Sequence, residues 1–191
     1  KKVIEQRCVK IVDVLGINKK NKYKKVHQLI AQQYYSLNTI HNNYSSALVQ
    51  IKSKQISNEE NTLALQNAEN LKKSALQKLH LSFVKTLNKK LSPIQVEKVK
   101  DGMTYSVVPK TWAAYKEMLP NLTQEQKDKM YAWLVEAREL AMDEGSSEKK
   151  HAVFGKYKGK INNYLSAAGY DMKKEGEEWA KRIKETKQTQ N

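Results

Sequence analysis

Residues 145–171 read GSSEKKHAVFGKYKGKINNYLSAAGYD, and the spacing of their apolar residues predicts a helix. Phe154, Tyr157, Ile161, Tyr164, Leu165 and Ala168 recur at three- and four-residue steps, which puts them on one buried face. Ser147 is the expected N-cap, because its hydroxyl can accept a bond from a free backbone N–H of the first turn. Gly169 suits the left-handed position just past the C-terminus. Gly155 and Gly159 lie a turn apart, with Ala152 and Asn162 on the same side. Inside a helix each glycine costs about 1 kcal/mol against alanine. Two arrangements would offset that cost. One is close approach by a neighbouring helix. The other is a shallow floor for a flat ligand, ringed by His151, Lys156, Lys160, Asn162 and Asn163.

Upstream, the same periodicity continues. Ile4, Cys8, Ile11 and Leu15 share a face, so residues 2–15 read as a short helix ended by Gly16, with Asn18 placed to cap the next. Tyr23, Val26, Ile30, Gln33, Leu37, Ile40, Tyr44, Ala47 and Ile51 alternate three- and four-residue steps, the pattern of a coiled-coil-like seam. Ser57 with Glu60 forms a capping box. It opens a second long helix with Ala68, Leu71, Ala75, Leu79, Phe83 and Leu87 inward. Residues 19–90 therefore read as an antiparallel helical hairpin. His27, His41 and His80 fall beside its apolar faces and read as packed, hydrogen-bonded histidines; His27 and His41 are too far apart to chelate one ion.

Two further starts follow. Ser92, Pro93 and Gln95 open a helix ended by Gly102, and Thr123 with Gln126 opens another that runs to Met142. Between them, residues 103–111 (MTYSVVPKT) carry β-branched residues and Pro109, and read as the one extended segment. A short helix through Trp112, Tyr115 and Met118 ends at Pro120. Asp171 caps a last helix through Trp179 and Ile183. The predicted fold class is all-α: a long antiparallel helical hairpin packed with a compact C-terminal helical bundle. Residues 1–90 and 91–191 are its two parts, in one continuous fold.

Composition sets outer bounds. The 191 residues are 39% hydrophobic and 29% charged, as in a folded domain rather than a disordered chain. No apolar run approaches the roughly 20 residues needed to span a bilayer. Cys8 is the sole cysteine, so no internal disulfide or cysteine-based zinc site is possible, and its apolar neighbours make it a small core residue. The net charge of +15 is spread over much of the chain and is almost all lysine; Arg7, Arg138 and Arg182 are the arginines. Base reading and planar phosphate recognition favour arginine, so nucleic acid is not an expected partner.

No catalytic signature is present. There is no phosphate-binding glycine loop, no HExxH and no nucleophile elbow. No metal or cofactor is expected. Glu136 with Glu139 or Asp143 are the carboxylates that could serve acid/base chemistry if they converged. Residues 103–171 instead concentrate aromatics with polar neighbours: Tyr105, Trp112, Tyr115, Tyr131, Trp133, Tyr157, Tyr164 and Tyr170. Aromatic faces beside amides and charges suit a sugar ring, apolar on its C–H face and polar at its hydroxyls. The competing reading makes these rings the core of the second half.

Three segments also resemble a known family: KVKDGMTYSVVP (98–109), WLVEARELAMDEGSSEKKHAVFGKYKG (133–159) and KINNYLSAAGYD (160–171). The chain resembles, over roughly residues 12–182, an uncharacterised family of exported helical proteins from polysaccharide-degrading bacteria, for which sugar binding is the suggested role. The resemblance implies a periplasmic or cell-surface location, reached by way of a signal peptide not in the chain, and work near carbohydrate uptake or breakdown. It supplies no catalytic residues. The Leu-Ser-Pro-Ile-Gln and Leu-Thr-Gln-Glu-Gln helix starts also resemble those of small helical periplasmic chaperones.

The resulting expectation is non-enzymatic binding of a carbohydrate, with acidic glycans favoured by the positive charge. Tyr105, Trp112 and Tyr157 would stack on the sugar; His151, Lys156, Asn162 and Asn163 would take hydroxyls or carboxylates. A chaperone-like or structural protein, and a glycan-active enzyme using Glu136 and Glu139, are the rival expectations. Oligomeric state is not specified by these patterns.

Overall fold

A computed structural model describes residues 2–54 and 56–188. Among them it contains eight α-helices and no strand: α1 (Lys2–Asp13), α2 (Lys20–Ser53), α3 (Asn58–Lys90), α4 (Pro93–Met103), α5 (Val107–Met118), α6 (Gln124–Met142), α7 (Ser147–Ala167) and α8 (Met172–Gln188). No helix of the described residues is long and apolar enough to cross a membrane. The chain divides into two compact units, one of residues 1–102 with 143–145, the other of residues 103–142 with 146–191. The division falls after Gly102 rather than at residue 90, because α4 packs in the first unit.

The first unit is built on the α2–α3 hairpin. At 1.5 Å per residue, the 34 residues of α2 run about 50 Å. The turn into α3 carries the expected capping box: the Ser57 hydroxyl accepts from Glu60 N, and Glu60 Oε2 accepts from Ser57 N. Asn18 does not cap α2; the N-cap is Lys19, with no side-chain bond. The core of the unit lies at one end, where Cys8, Val12, Val26, Ile30, Leu37, Leu87 and Val99 are all but sealed from solvent. Gln95 Nε2 donates to Leu15 O at 2.8 Å and Lys98 Nζ to Val14 O at 3.2 Å, which ties α4 to the turn after α1. Gly102 is not a helix stop. It lies inside α4, where a Cβ would come within 2.7 Å of Ile11 Cγ1, so the residue is small to let α1 approach.

The other end of the hairpin is thinly packed. Among the described residues of 38–82, Ile51 alone is buried. Leu71, expected inward, is 73% exposed. It stands on the wall of a groove of about 570 Å³ with Ile40, Tyr44, Ala47, Ala68 and Ala75. Two helices alone cover only one side of each seam residue, and the alanines leave room between them.

In the second unit, residues 103–111 are not extended. Met103 ends α4, three residues turn, and α5 begins at Val107. Pro109 then sits at the third helical position, where its missing N–H has no intrahelical partner to lose. The turn is made by Tyr105 and Ser106, both left-handed at φ 59° and 55°. α6 pairs extensively with α7, and α5 contacts both α6 and α8. Val108, Tyr115, Leu119, Met130, Leu134, Ala137, Phe154, Ile161 and Leu165 form their common core.

The caps of α7 follow the predicted chemistry with a one-residue shift at the start. Ser146, not Ser147, is the N-cap, its extended backbone letting the hydroxyl accept from Lys149 N. At the other end Gly169 (φ 95°) donates to Ser166 O and Tyr170 N to Leu165 O, a Schellman closure. Thr123 with Gln126, and Asp171 with the N–H groups of Lys173 and Lys174, cap α6 and α8 as expected. Two helix ends are closed by cations from later in the chain. Lys150, only 3% exposed, donates to Ala141 O and Met142 O at the end of α6. Arg182 Nη2 donates to Glu117 O and Met118 O at the end of α5.

Candidate functional site

Helix α7 presents different faces to different neighbours, and the residues singled out from the sequence divide among them. Its glycines face open space: a Cβ at Gly155 or Gly159 would meet nothing within 4 Å. Close approach of a neighbouring helix is therefore not why they are glycine. Lys156 and Asn163 are exposed beside them.

Near the start of α7, exposed His151 stacks on Tyr105, with ring centroids 5.4 Å apart and planes within 15°. Tyr105 has left-handed backbone in the α4–α5 turn, and its hydroxyl oxygen is buried. A non-glycine residue there costs on the order of 1 kcal/mol. Trp112, on α5, meets Tyr131 at 5.5 Å and carries Lys116 5.7 Å from its centroid.

A third group lines the α6–α7 seam. Trp133 meets Tyr164 edge to face at 5.4 Å. Lys160 lies 4.4 Å from the Trp133 centroid and 5.4 Å from that of Tyr157, and Lys129 lies 4.5 Å from that of Tyr164. Burial, and then a hydrogen bond to the Glu136 carboxylate, raise the Tyr157 phenol above its ordinary pKa. These rings already carry ammonium groups over their faces, an arrangement worth about 0.5–1 kcal/mol each at exposed sites. Tyr105, Trp112 and Tyr157 thus have separate partners rather than one shared hollow.

Asn162 belongs elsewhere. Its Oδ1 accepts from the Tyr115 hydroxyl at 2.7 Å. Burial pushes the Tyr115 phenol up to about 12, so it is a neutral donor throughout the physiological range. Tyr115 forms the back of a hollow of about 300 Å³ between α5, α7 and α8. Thr111, Met118 and half-buried Trp179 line it, and Lys110 and Lys158 stand at its sides. Among the described residues, no ring or ammonium lies over Trp179. Trp179 also forms one wall of a second hollow, of about 390 Å³, with Glu117, Arg182, Ile183 and Thr186. The first hollow combines an apolar platform, two hydroxyls (Thr111 and Tyr115) and two lysines, a mixture that can hold a small polar ligand. Its volume is at the lower end of the usual range for such sites.

The pattern of aromatics between residues 103 and 171 led away from Trp179, which lies beyond them. The signal was present: Trp179, Arg182 and Ile183 are three and four residues apart on one face of the last helix, and Lys158 is four residues before Asn162.

The carboxylates do not converge. Glu136 bonds Tyr157, Glu139 lies 3.5 Å from Arg138, and Asp143 lies in the first unit, where its carboxylate meets His80 at 3.0 Å. None of the three lines either hollow at Trp179. His41 Nε2 donates to Asp143 O at 2.7 Å, and His27 lies 3.4 Å from Glu5. Among the described residues, no group of three or more His, Cys, Asp or Glu is gathered to hold a metal ion.

Fold and surface together define an all-α protein with a ligand-sized hollow backed by aromatic rings. By sequence, residues 1–185 match the model of the family described as "Protein of unknown function (DUF3826)", and the chain belongs to that family. No curated protein matches it.

Proposed function

We propose that this protein binds carbohydrate without transforming it, at the hollow between α5, α7 and α8, and that acidic sugars are preferred. Trp179 is the platform for the C–H face of the ring, and the Thr111 and Tyr115 oxygens meet hydroxyls. Lys110 and Lys158 meet a carboxylate. One observation carries the reading: a half-buried tryptophan, free of ring or ammonium partners among the described residues, shares a hollow with two lysines and with Tyr115, whose hydroxyl is fixed on Asn162. A Tyr115 phenol held neutral and a seam of rings capped by lysine suit binding better than bond cleavage, for which no converging carboxylates stand in the hollow. On this reading the protein works outside the inner membrane, where polysaccharide is taken up or broken down.

Titrating neutral and acidic oligosaccharides while following tryptophan fluorescence tests the proposal. The expected result is a saturable change with uronate-containing sugars that Trp179→Ala removes. No response up to millimolar sugar, or a response that survives Trp179→Ala, overturns it.

A further inference from the structure

Trp179 is a shared wall: one hollow lies on its Tyr115 side and another on its Arg182 side. From this, and resting on the carbohydrate reading, we infer that the ligand is a linear oligosaccharide that straddles Trp179, with an acidic unit on one side and a neutral unit on the other.

The two hollows differ in charge. The first has Lys110 and Lys158 and no carboxylate in its wall. The second is lined by Glu117 and by Arg182, whose Nη2 donates to the Glu117 backbone carbonyl. A uronate suits the first, because Lys158 and Lys110, whose Nζ also donates to Tyr105 O at 3.4 Å, line it with no opposing carboxylate. In the second, Glu117 would repel a uronate, whereas the hydroxyls of a neutral sugar can donate to Glu117 and accept from Arg182. Arg182 is itself fixed. Its Nη2 spends its donors on Glu117 O and Met118 O, and among the described residues Nη1 and Nε retain theirs for a ligand. Each hollow has the size of a small-molecule site, and Trp179 lines both. A single sugar would fill one hollow and leave the indole's other side in water. A chain covers both.

The probes are glucuronic acid, hyaluronan oligosaccharides of two, four and six units, which alternate uronate and neutral sugar, and oligogalacturonides of the same lengths, which are acidic throughout. Binding is followed by calorimetry and fluorescence on the full chain. The expected result is at least a ten-fold gain from glucuronic acid to the alternating tetrasaccharide. The oligogalacturonides bind several-fold more weakly at equal length. Glu117→Gln narrows that difference, and circular dichroism verifies that the variant is folded. Equal affinity for glucuronic acid and the tetrasaccharide overturns the straddling chain and leaves the carbohydrate reading standing. Equal affinity for both oligosaccharide series, unaltered by Glu117→Gln, overturns the acidic–neutral polarity. Absence of binding by every probe and by neutral oligosaccharides overturns this inference and the carbohydrate reading together.

Discussion

The Tyr115 hydroxyl donates to Asn162 Oδ1 across 2.7 Å, bridging α5 and α7 at the back of the Trp179 hollow. The bond fixes the phenol: with its hydrogen on Asn162, the Tyr115 oxygen keeps its lone pairs for the hollow it lines.

Burial of the Tyr115 phenol makes stability fall at alkaline pH. The folded-state pKa of Tyr115 is raised from 10.0 to about 12 by burial. The phenol ionises more readily in the unfolded chain, so its contribution is intact below about pH 10 and is lost as pH rises toward 12. The loss is on the order of 2 kcal/mol. Denaturant titrations between pH 9 and 12 check this: Tyr115→Phe, although less stable at pH 7, shows a shallower decline over that window.

Glycine substitutions separate the two roles that glycine has in this chain. Gly155→Ala and Gly159→Ala meet open space, so each raises stability by about 1 kcal/mol through helix propensity. Gly102→Ala drives a methyl to 2.7 Å from Ile11 Cγ1, close to the side-chain root, and lowers stability by about 1–3 kcal/mol. Thermal melts of the three variants give opposite signs.

Lys150→Met keeps the length of the stem and removes the donor to Ala141 O and Met142 O. Two carbonyls at the end of α6 lose their charged partner, at a cost of about 2 kcal/mol. In a chain of this size that lowers Tm by about 4–8 °C.

Cys8 is fully buried, and desolvation followed by the charge of Glu5 pushes its thiol up to about 11. The thiolate is the reactive form. A disulfide reagent at pH 8 should leave the native protein unlabelled over minutes and label it at once in denaturant; rapid native labelling would contradict the burial.

The helices were readable because caps and periodicity are local. Ser57–Glu60, Ser92–Gln95, Thr123–Gln126 and Asp171 act where their spacing says, since each needs only its own first turn. Residues 103–111 misled because β-branching and Pro109 are compatible with a helix's first turn as well as with extended chain. Leu71 misled for another reason. Periodicity names the face of a helix, but it does not say whether a third element arrives to cover it. The candidate site was legible in part. Asn162 bonds Tyr115, one wall of the hollow, while Tyr105, Trp112 and Tyr157 acquired partners (His151, Tyr131, and Lys160 with Glu136) that only three-dimensional packing selects. Trp179 was hidden by the opposite effect: Arg182 and Ile183 share its helix face, but nothing local says that α5 and α7 arrive beside it.

The thin half of the α2–α3 hairpin also has a kinetic meaning. With Ile51 its one sealed side chain among the described residues of 38–82, that arm has little apolar area to lose on opening. Its amide protons should therefore trade with deuterated solvent through a local event well before those near Val26 and Leu87, so that one continuous pair of helices behaves as two cooperative segments.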